Sequence, residues 1–150
     1  MKLINANQNE WVNRHETFTE KIQGLYIAAN EPDLNALDGY NDTTKALQKI
    51  IGDRIETNTP LRVLGSGWSF TKVATATNAY MLDTKQLNTT LNISESSVSE
   101  NYKGDPKKML FAQCGCGVWE LSKELRSKHL SLKTSGASNG QTIVGAMATG

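Results

Sequence analysis

The feature that most constrains this chain is a strand that runs straight into glycine. Leu61-Arg62-Val63-Leu64 reads as a short buried strand, followed without a break by Gly65-Ser66-Gly67-Trp68-Ser69-Phe70. Glycine lets the backbone turn with positive φ, so successive N–H groups can converge on one concavity and hold an anion. Ser66 and Ser69 add hydroxyl donors. The same pattern also serves as a plain tight turn between strands, the commoner use of a strand followed by Gly-x-Gly. On the local residues alone, both readings stand.

A nicotinamide-dinucleotide fold is the first specific reading to test. Asp83 closes the next expected strand, Ala79-Tyr80-Met81-Leu82, near the place where such folds keep a ribose-binding acid. Two observations count against it. Phe70 stands where the third glycine of that fingerprint belongs. Only residues 71–78 separate the strands, fewer than the roughly 10–12 that a helical parallel crossover needs. They are rich in Thr, Ala and Asn and carry no amphipathic stripe.

Upstream, the first 40 residues are polar and weakly periodic, with Trp11, Phe18 and Tyr26 scattered among Asn, Glu and Thr. They read as an N-terminal arm packed on something else. Asn30-Glu31-Pro32-Asp33 and Asp38-Gly39 are turn signals. Asp42 then reads as the N-cap of a helix whose face is Ala46, Leu47, Ile50 and Ile51, with Gly52 as its left-handed stop. Downstream, the serine- and glutamate-rich residues 94–100 suit a surface loop or hairpin. Met109-Leu110-Phe111-Ala112 reads as a third strand. Residues 118–128 form the best helix, with Val118, Leu121 and Leu125 as its stripe and Glu124 and Lys128 paired at i,i+4. Leu130-Ser131-Leu132 reads as a brief strand before a small-residue loop over 134–142.

Composition narrows the function classes. The 150 residues suit a single domain in size. Sixteen basic against 15 acidic residues give a net charge of +1, which excludes charge-driven nucleic-acid binding as the default. No apolar run is long enough to span a bilayer, and the first residues lack a signal-peptide core. The expectation is a soluble cytoplasmic protein without a nucleic-acid or membrane partner. Cys114-Gly115-Cys116 has tighter spacing than zinc sites favour, and the chain has only two histidines, His15 and His129. No metal site is expected. Strand alternation would place both thiols on one face as small buried hydrophobes. His129 suits a capping or surface role after the helix. His15 supports no assignment, and Lys107-Lys108 is a solvated pair. No catalytic carboxylate pair, Ser/His/Asp order or phosphate-binding Walker loop is present.

Beyond these readings, the motifs resemble those of a known family. Arg62-Val63-Leu64-Gly65-Ser66-Gly67-Trp68-Ser69-Phe70 is similar to the pyrophosphate loop of vanillyl-alcohol-oxidase-type flavoproteins with a PCMH-type FAD-binding domain, which typically reads Arg-Val-x-Gly-x-Gly-His-Ser-Phe. The sugar-lactone and alditol oxidases are the members it most resembles. Met81-Leu82-Asp83-Thr84-Lys85-Gln86-Leu87-Asn88 looks like the family's next strand and Leu-Asp-x-x-x-Leu-Asn turn. Gly117-Val118-Trp119-Glu120-Leu121 with Leu125 is similar to its Gly-x-x-x-x-x-Leu helix. Gln141-Thr142-Ile143-Val144-Gly145-Ala146-Met147-Ala148-Thr149-Gly150 looks like its second flavin segment. The matches run in order from Leu61 to Gly150.

The resemblance implies an α/β to α+β fold. A small parallel β-α subdomain (residues 41–96, after an arm over 1–40) would precede the start of a second, mixed or antiparallel subdomain from about Ser97 (97–150). FAD would lie between them. The implied cofactor-binding residues are Leu64, Gly65, Ser66, Gly67, Trp68, Ser69, Phe70, Gly136, Ser138, Gln141, Thr142, Gly145, Ala146, Thr149 and Gly150. Many relatives carry a His at the position of Trp68, covalently bound to flavin. Indole cannot take that role, because its nitrogen lone pair belongs to the ring π-system, so the expected FAD is non-covalent. The implied function is oxidation of an alcohol, sugar or lactone by hydride transfer to FAD, with oxygen or another electron acceptor as second substrate. No catalytic residue is nameable within 1–150; those residues are expected beyond Gly150, in a longer protein of which this chain is a truncated part. The oligomeric state stays open. The competing readings are a non-catalytic flavin-binding module and a small interaction domain whose glycine loops are only turns.

Overall fold

The computed structural model describes residues 1–134 and 136–149. The chain opens with β1 (Lys2–Asn5), a hairpin of β2 (Glu10–Val12) and β3 (Thr19–Lys21), and β4 (Gly24–Ala29). Helix α1 (Ala36–Glu56), β5 (Leu61–Leu64) and β6 (Tyr80–Gln86) follow. The last part holds β7 (Thr90–Asn92), β8 (Leu110–Ala112), α2 (Val118–Ser127) and α3 (Ile143–Thr149). The fold is mixed α/β. A four-stranded sheet has the order β1-β4-β6-β5, with β4 and β5 both parallel to β6 and β1 antiparallel to β4.

The two-residue period of β6 explains the layering. Met81 and Leu82 are both buried, yet they point to opposite faces of the sheet. Met81 joins Ile22, Leu25 and Leu64, with Trp11 and Ala74 packed alongside. Leu82 joins Ala28 and Leu87, with Leu47 of α1 against them. One face is therefore covered by the helix and the other by the β2–β3 hairpin. A third cluster of Cys116, Leu121 and Leu125, flanked by Leu110, Leu130, Leu132 and Ile143, builds the C-terminal part.

Several expectations need correction. Residues 1–40 do not form an unpatterned arm: they supply four strands, one of them internal to the sheet. β4 is covered on both faces, so it shows no alternation, and β1 lies at the edge with all four residues exposed. Neither gives a local signal. β5 and β6 are parallel neighbours although no α-helix connects them. Residues 65–79 make the crossing with only a short 3₁₀ turn at Lys72–Ala74; the glycine loop itself supplies the length. The antiparallel part begins at β7, earlier than Ser97. Residues 130–132 are not a strand, because their leucines are used against α2.

Helix α1 begins at Asn35, whose side chain accepts from the N–H groups of Leu37 and Asp38 at 3.1 and 3.0 Å. Asp42 lies inside the helix. Gly52 does not end it. The left-handed position is taken by Asn58 (φ 48°), where Asn58 N–H bonds Ile55 O and Thr59 N–H bonds Arg54 O. Asparagine tolerates this conformation, and Pro60 follows. Helix α2 ends in the same way through His129 (φ 56°), with His129 N–H on Arg126 O and Leu130 N–H on Leu125 O. The two cysteines do not share a strand face. They sit in the turn after β8, where Gly115 approaches so closely that a Cβ would strike the Thr84 backbone. The turn sends Cys116 into the α2 cluster and Cys114 toward Leu87.

Gly52 offers a test of this helix assignment. A Cβ there meets nothing within 4 Å. Gly52→Ala should therefore stabilise the protein by about 1 kcal/mol, seen as a higher denaturation midpoint. A left-handed Gly52 would make the same change destabilising.

Candidate cofactor site

The fold brings the two glycine-bearing segments together. Gly65 leaves β5 directly against Thr142: a Cβ on Gly65 would lie 2.5 Å from Thr142 Oγ1 and 2.8 Å from its Cγ2. Thr142 is held in turn. It bridges Gly117, and Ile143 N–H bonds Cys116 O at 2.8 Å. At the start of α2, the N–H groups of Val118 and Trp119 bond the carbonyls of Gln141 and Asn139. The helix start thus secures the second segment. On the other side, Thr84 Oγ1 donates to Leu64 O at 3.0 Å and fixes the end of β5.

Between the segments lies a cavity of about 480 Å³. Of the expected cofactor-binding residues, Leu64, Gly65, Ser66, Gly67, Trp68, Ser69, Gln141, Thr142, Gly145 and Thr149 line it. Phe70 is 67% exposed and stacks on His15 instead. Gly136, Ser138 and Ala146 do not line the cavity, and Ala146 N–H is used on Thr142 O. Gly150 lies outside the described residues. Val63, Val73, Ala74 and Ala148 complete the wall, and of these Val73 and Ala74 carried no sequence signal.

A second cavity of about 360 Å³ lies beside the same Leu64–Gly67 stretch, walled by the β2–β3 hairpin, Asp83 and Lys85. This hairpin is the part of the site that sequence reasoning missed. Arg14 N–H bonds Gly67 O at 3.0 Å, and Asn13 Nδ2 bonds Ser69 O at 3.0 Å. Gly67 has φ 65°, and a Cβ there would lie 2.9 Å from Trp11. Lys72, just beyond the loop, donates to Glu20 at 2.9 Å, and this hydrogen bond holds the Glu20 carboxyl below its ordinary range. The only local hint in residues 10–18 was the presence of the aromatics Trp11 and Phe18.

Trp68 is walled in. Its indole packs on Gly140, Arg14 lies 4.9 Å above the ring, and His15 meets its edge with centroids 5.3 Å apart. Among the described residues, three buried side-chain polar atoms lack a hydrogen-bond partner: Trp68 Nε1, Gln141 Oε1 and His15 Nε2. All three stand at this junction. Each such group costs about 1–3 kcal/mol if left unpaired. In the same loop, no bond within the described residues uses the backbone N–H groups of Gly67 to Phe70. Donors in a row, small residues opposite and unpaired polar side chains between them suit a large planar group with a diphosphate.

The thiols are separate from this chemistry. Burial, then the nearby Glu120 and Glu124 carboxylates, push the Cys116 thiol up from its ordinary range. A raised thiol pKa stabilises the fold below the ordinary range and is lost as pH rises through the shifted value. Cys116 should therefore resist alkylation in native protein and react on unfolding, while the more accessible Cys114 reacts first; peptide mapping after timed labelling checks this. Among the described residues, no group of three His, Cys, Asp or Glu could hold a metal, and no helix is long and apolar enough to cross a membrane.

The Gly65–Thr142 contact gives a second test. Gly65→Ala should destabilise the protein by about 1–3 kcal/mol through overpacking. Thr142→Ala in the same chain should restore part of that loss, a non-additivity read from thermal unfolding.

A sequence profile described as "FAD binding domain" matches residues 40–150. No curated protein matches the sequence. Among solved structures, cholesterol oxidase from B. sterolicum superposes with a TM-score of 0.66 at 15% identity. That match covers 98% of this chain and 24% of the oxidase, so the chain spans about a quarter of that enzyme's length. The shared fold and the profile agree with the geometry of the two glycine-bearing segments: this chain belongs to the family of PCMH-type FAD-binding domains found in flavin oxidoreductases.

Proposed function

We propose that this chain holds FAD for a flavin-dependent oxidation of an alcohol, sugar or lactone, as part of a longer protein. The observation that supports it most is the pair of unpartnered polar atoms on Trp68 and Gln141 in the cavity between the glycine-bearing segments, with a third on His15 against the Trp68 ring. The loop N–H groups from Gly67 to Phe70 would receive the diphosphate, and Thr142 and Thr149 would add hydroxyls. Gly145 and Ala148 leave room for a flat ring against the backbone. When bound, FAD supplies hydride acceptance from a substrate carbon and passes the electrons to oxygen or another acceptor. The part played by this chain is binding, orientation and exclusion of water; the groups acting on substrate belong to residues outside it.

Trp68 bears on how FAD is held. Its ring nitrogen has no free lone pair and serves only as an N–H donor. The partnerless Nε1–H therefore suits a hydrogen bond to the cofactor, and the cofactor is dissociable. Purified protein should show a visible flavin band, and acid precipitation should release all of the flavin into the supernatant. Flavin retained in the pellet overturns non-covalent binding. A colourless protein that takes up no added FAD overturns the cofactor reading and favours glycine loops that are only turns. Bleaching of the flavin band under anaerobic conditions by an alcohol, sugar or lactone would identify the substrate class.

A further inference from the structure

The β2–β3 hairpin lies outside the residues matched by the FAD-binding profile, yet its turn hydrogen-bonds two carbonyls of the glycine loop. Asn13, at its turn, is 2% exposed and uses its whole amide. Oδ1 accepts from Thr17 N–H at 2.8 Å and from Phe18 N–H at 3.4 Å. Nδ2 donates to Thr17 Oγ1 at 2.8 Å and to Ser69 O at 3.0 Å. One half of the side chain thus shapes the hairpin turn, and the other half reaches 56 residues along the chain to the glycine loop. Next to it, Arg14 N–H takes Gly67 O.

These two bonds decide where the loop donors point. In a trans peptide, the carbonyl and the N–H on the same plane point in opposite directions. Tying the carbonyls of Gly67 and Ser69 to the hairpin turns the N–H groups of Trp68 and Phe70 away from it. Two of the loop's peptides are held in this way, which limits the orientations open to the N–H groups between them. A loop of Gly-Ser-Gly sequence has little conformational preference of its own, so something outside it must hold its peptides in one orientation.

We propose that Asn13 is a positioning residue of the cofactor site: through Ser69 O it anchors the end of the glycine loop, whose residues Gly65–Ser69 line the cavity, in the conformation that receives the FAD diphosphate. The proposal rests on the FAD reading above. It makes the N-terminal hairpin a working part of the cofactor site.

Asn13→Asp separates this role from hairpin folding. The introduced carboxylate keeps the oxygen that accepts from Thr17 and Phe18, and the Thr17 hydroxyl can turn to donate. Ser69 O alone loses its donor and faces a negative oxygen. Thr17→Val is the control, because it weakens the hairpin turn without touching the loop. In the whole protein, FAD titration followed by flavin fluorescence should show affinity about tenfold weaker for Asn13→Asp and within about twofold of wild type for Thr17→Val. Burial raises the pKa of a carboxyl, and its protonated form can donate to Ser69 O. The affinity of Asn13→Asp should therefore recover relative to wild type as pH falls from about 8 to about 5. Equal losses in the two variants, wild-type affinity in Asn13→Asp, or no relative recovery at low pH each overturn the role of Asn13. Wild-type protein that takes up no FAD overturns the cofactor reading and this proposal together.

Discussion

The close approach of Gly65 to Thr142 is the constraint on which the site depends. A residue leaving the main sheet meets a residue anchored to the start of α2, with no room for a methyl group between them. That contact brings together two segments that lie far apart in sequence and sets the width of the cavity between them. Its other supports are ordinary ones. Thr84 ties the end of β5, and the carbonyls of Asn139 and Gln141 close the open N–H groups of α2. The hydrogen-bonding needs of a helix start are met in part by Gln141, which also lines the cavity.

The sheet carries this arrangement because it is covered on both faces. Helix α1 packs Leu47 against Leu82 and Ala28, and the hairpin packs Trp11 against Leu25, Leu64 and Met81. Burial on both sides fixes the register of β6, since a one-residue slip would exchange the two apolar sets. The link to the C-terminal part is polar. Gln113 Oε1 accepts from both Asn30 Nδ2 and Thr89 N–H at 2.9 Å. This junction is specified by directional bonds as well as by apolar contact.

Much of the later chain was legible because its signals are local. Strand β5 is a short segment with three apolar residues around Arg62 that runs into glycine, and α2 has a regular stripe with a glutamate that reaches back to Gly117 N–H at 2.8 Å. The family motifs lie in the same half. The first 40 residues were not legible, because β1 and β4 are defined by their partners and not by their own period. The ends of α1 were misread for a related reason. Asp42 and Gly52 are good end signals in isolation, but Asn35 and Asn58 sit where the sheet needs the helix to begin and end. A side-chain cap at Asn35 and a left-handed backbone at Asn58 outweighed a glycine that the helix simply absorbed.

By itself, the sequence determined the glycine loop, the second small-residue segment, the helix between them and the absence of a linking histidine at position 68. These are properties of residue type and short-range spacing. Tertiary structure alone decided that the loop and the second segment face each other across one cavity, and that Trp68 and Gln141 leave polar atoms unpaired there. It also decided that a hairpin from the unpatterned N-terminus holds the loop carbonyls. The physical reason is that peptide orientation in a glycine-rich loop is not encoded in the loop. It is imposed by hydrogen bonds from residues more than fifty positions away, which no local pattern can report.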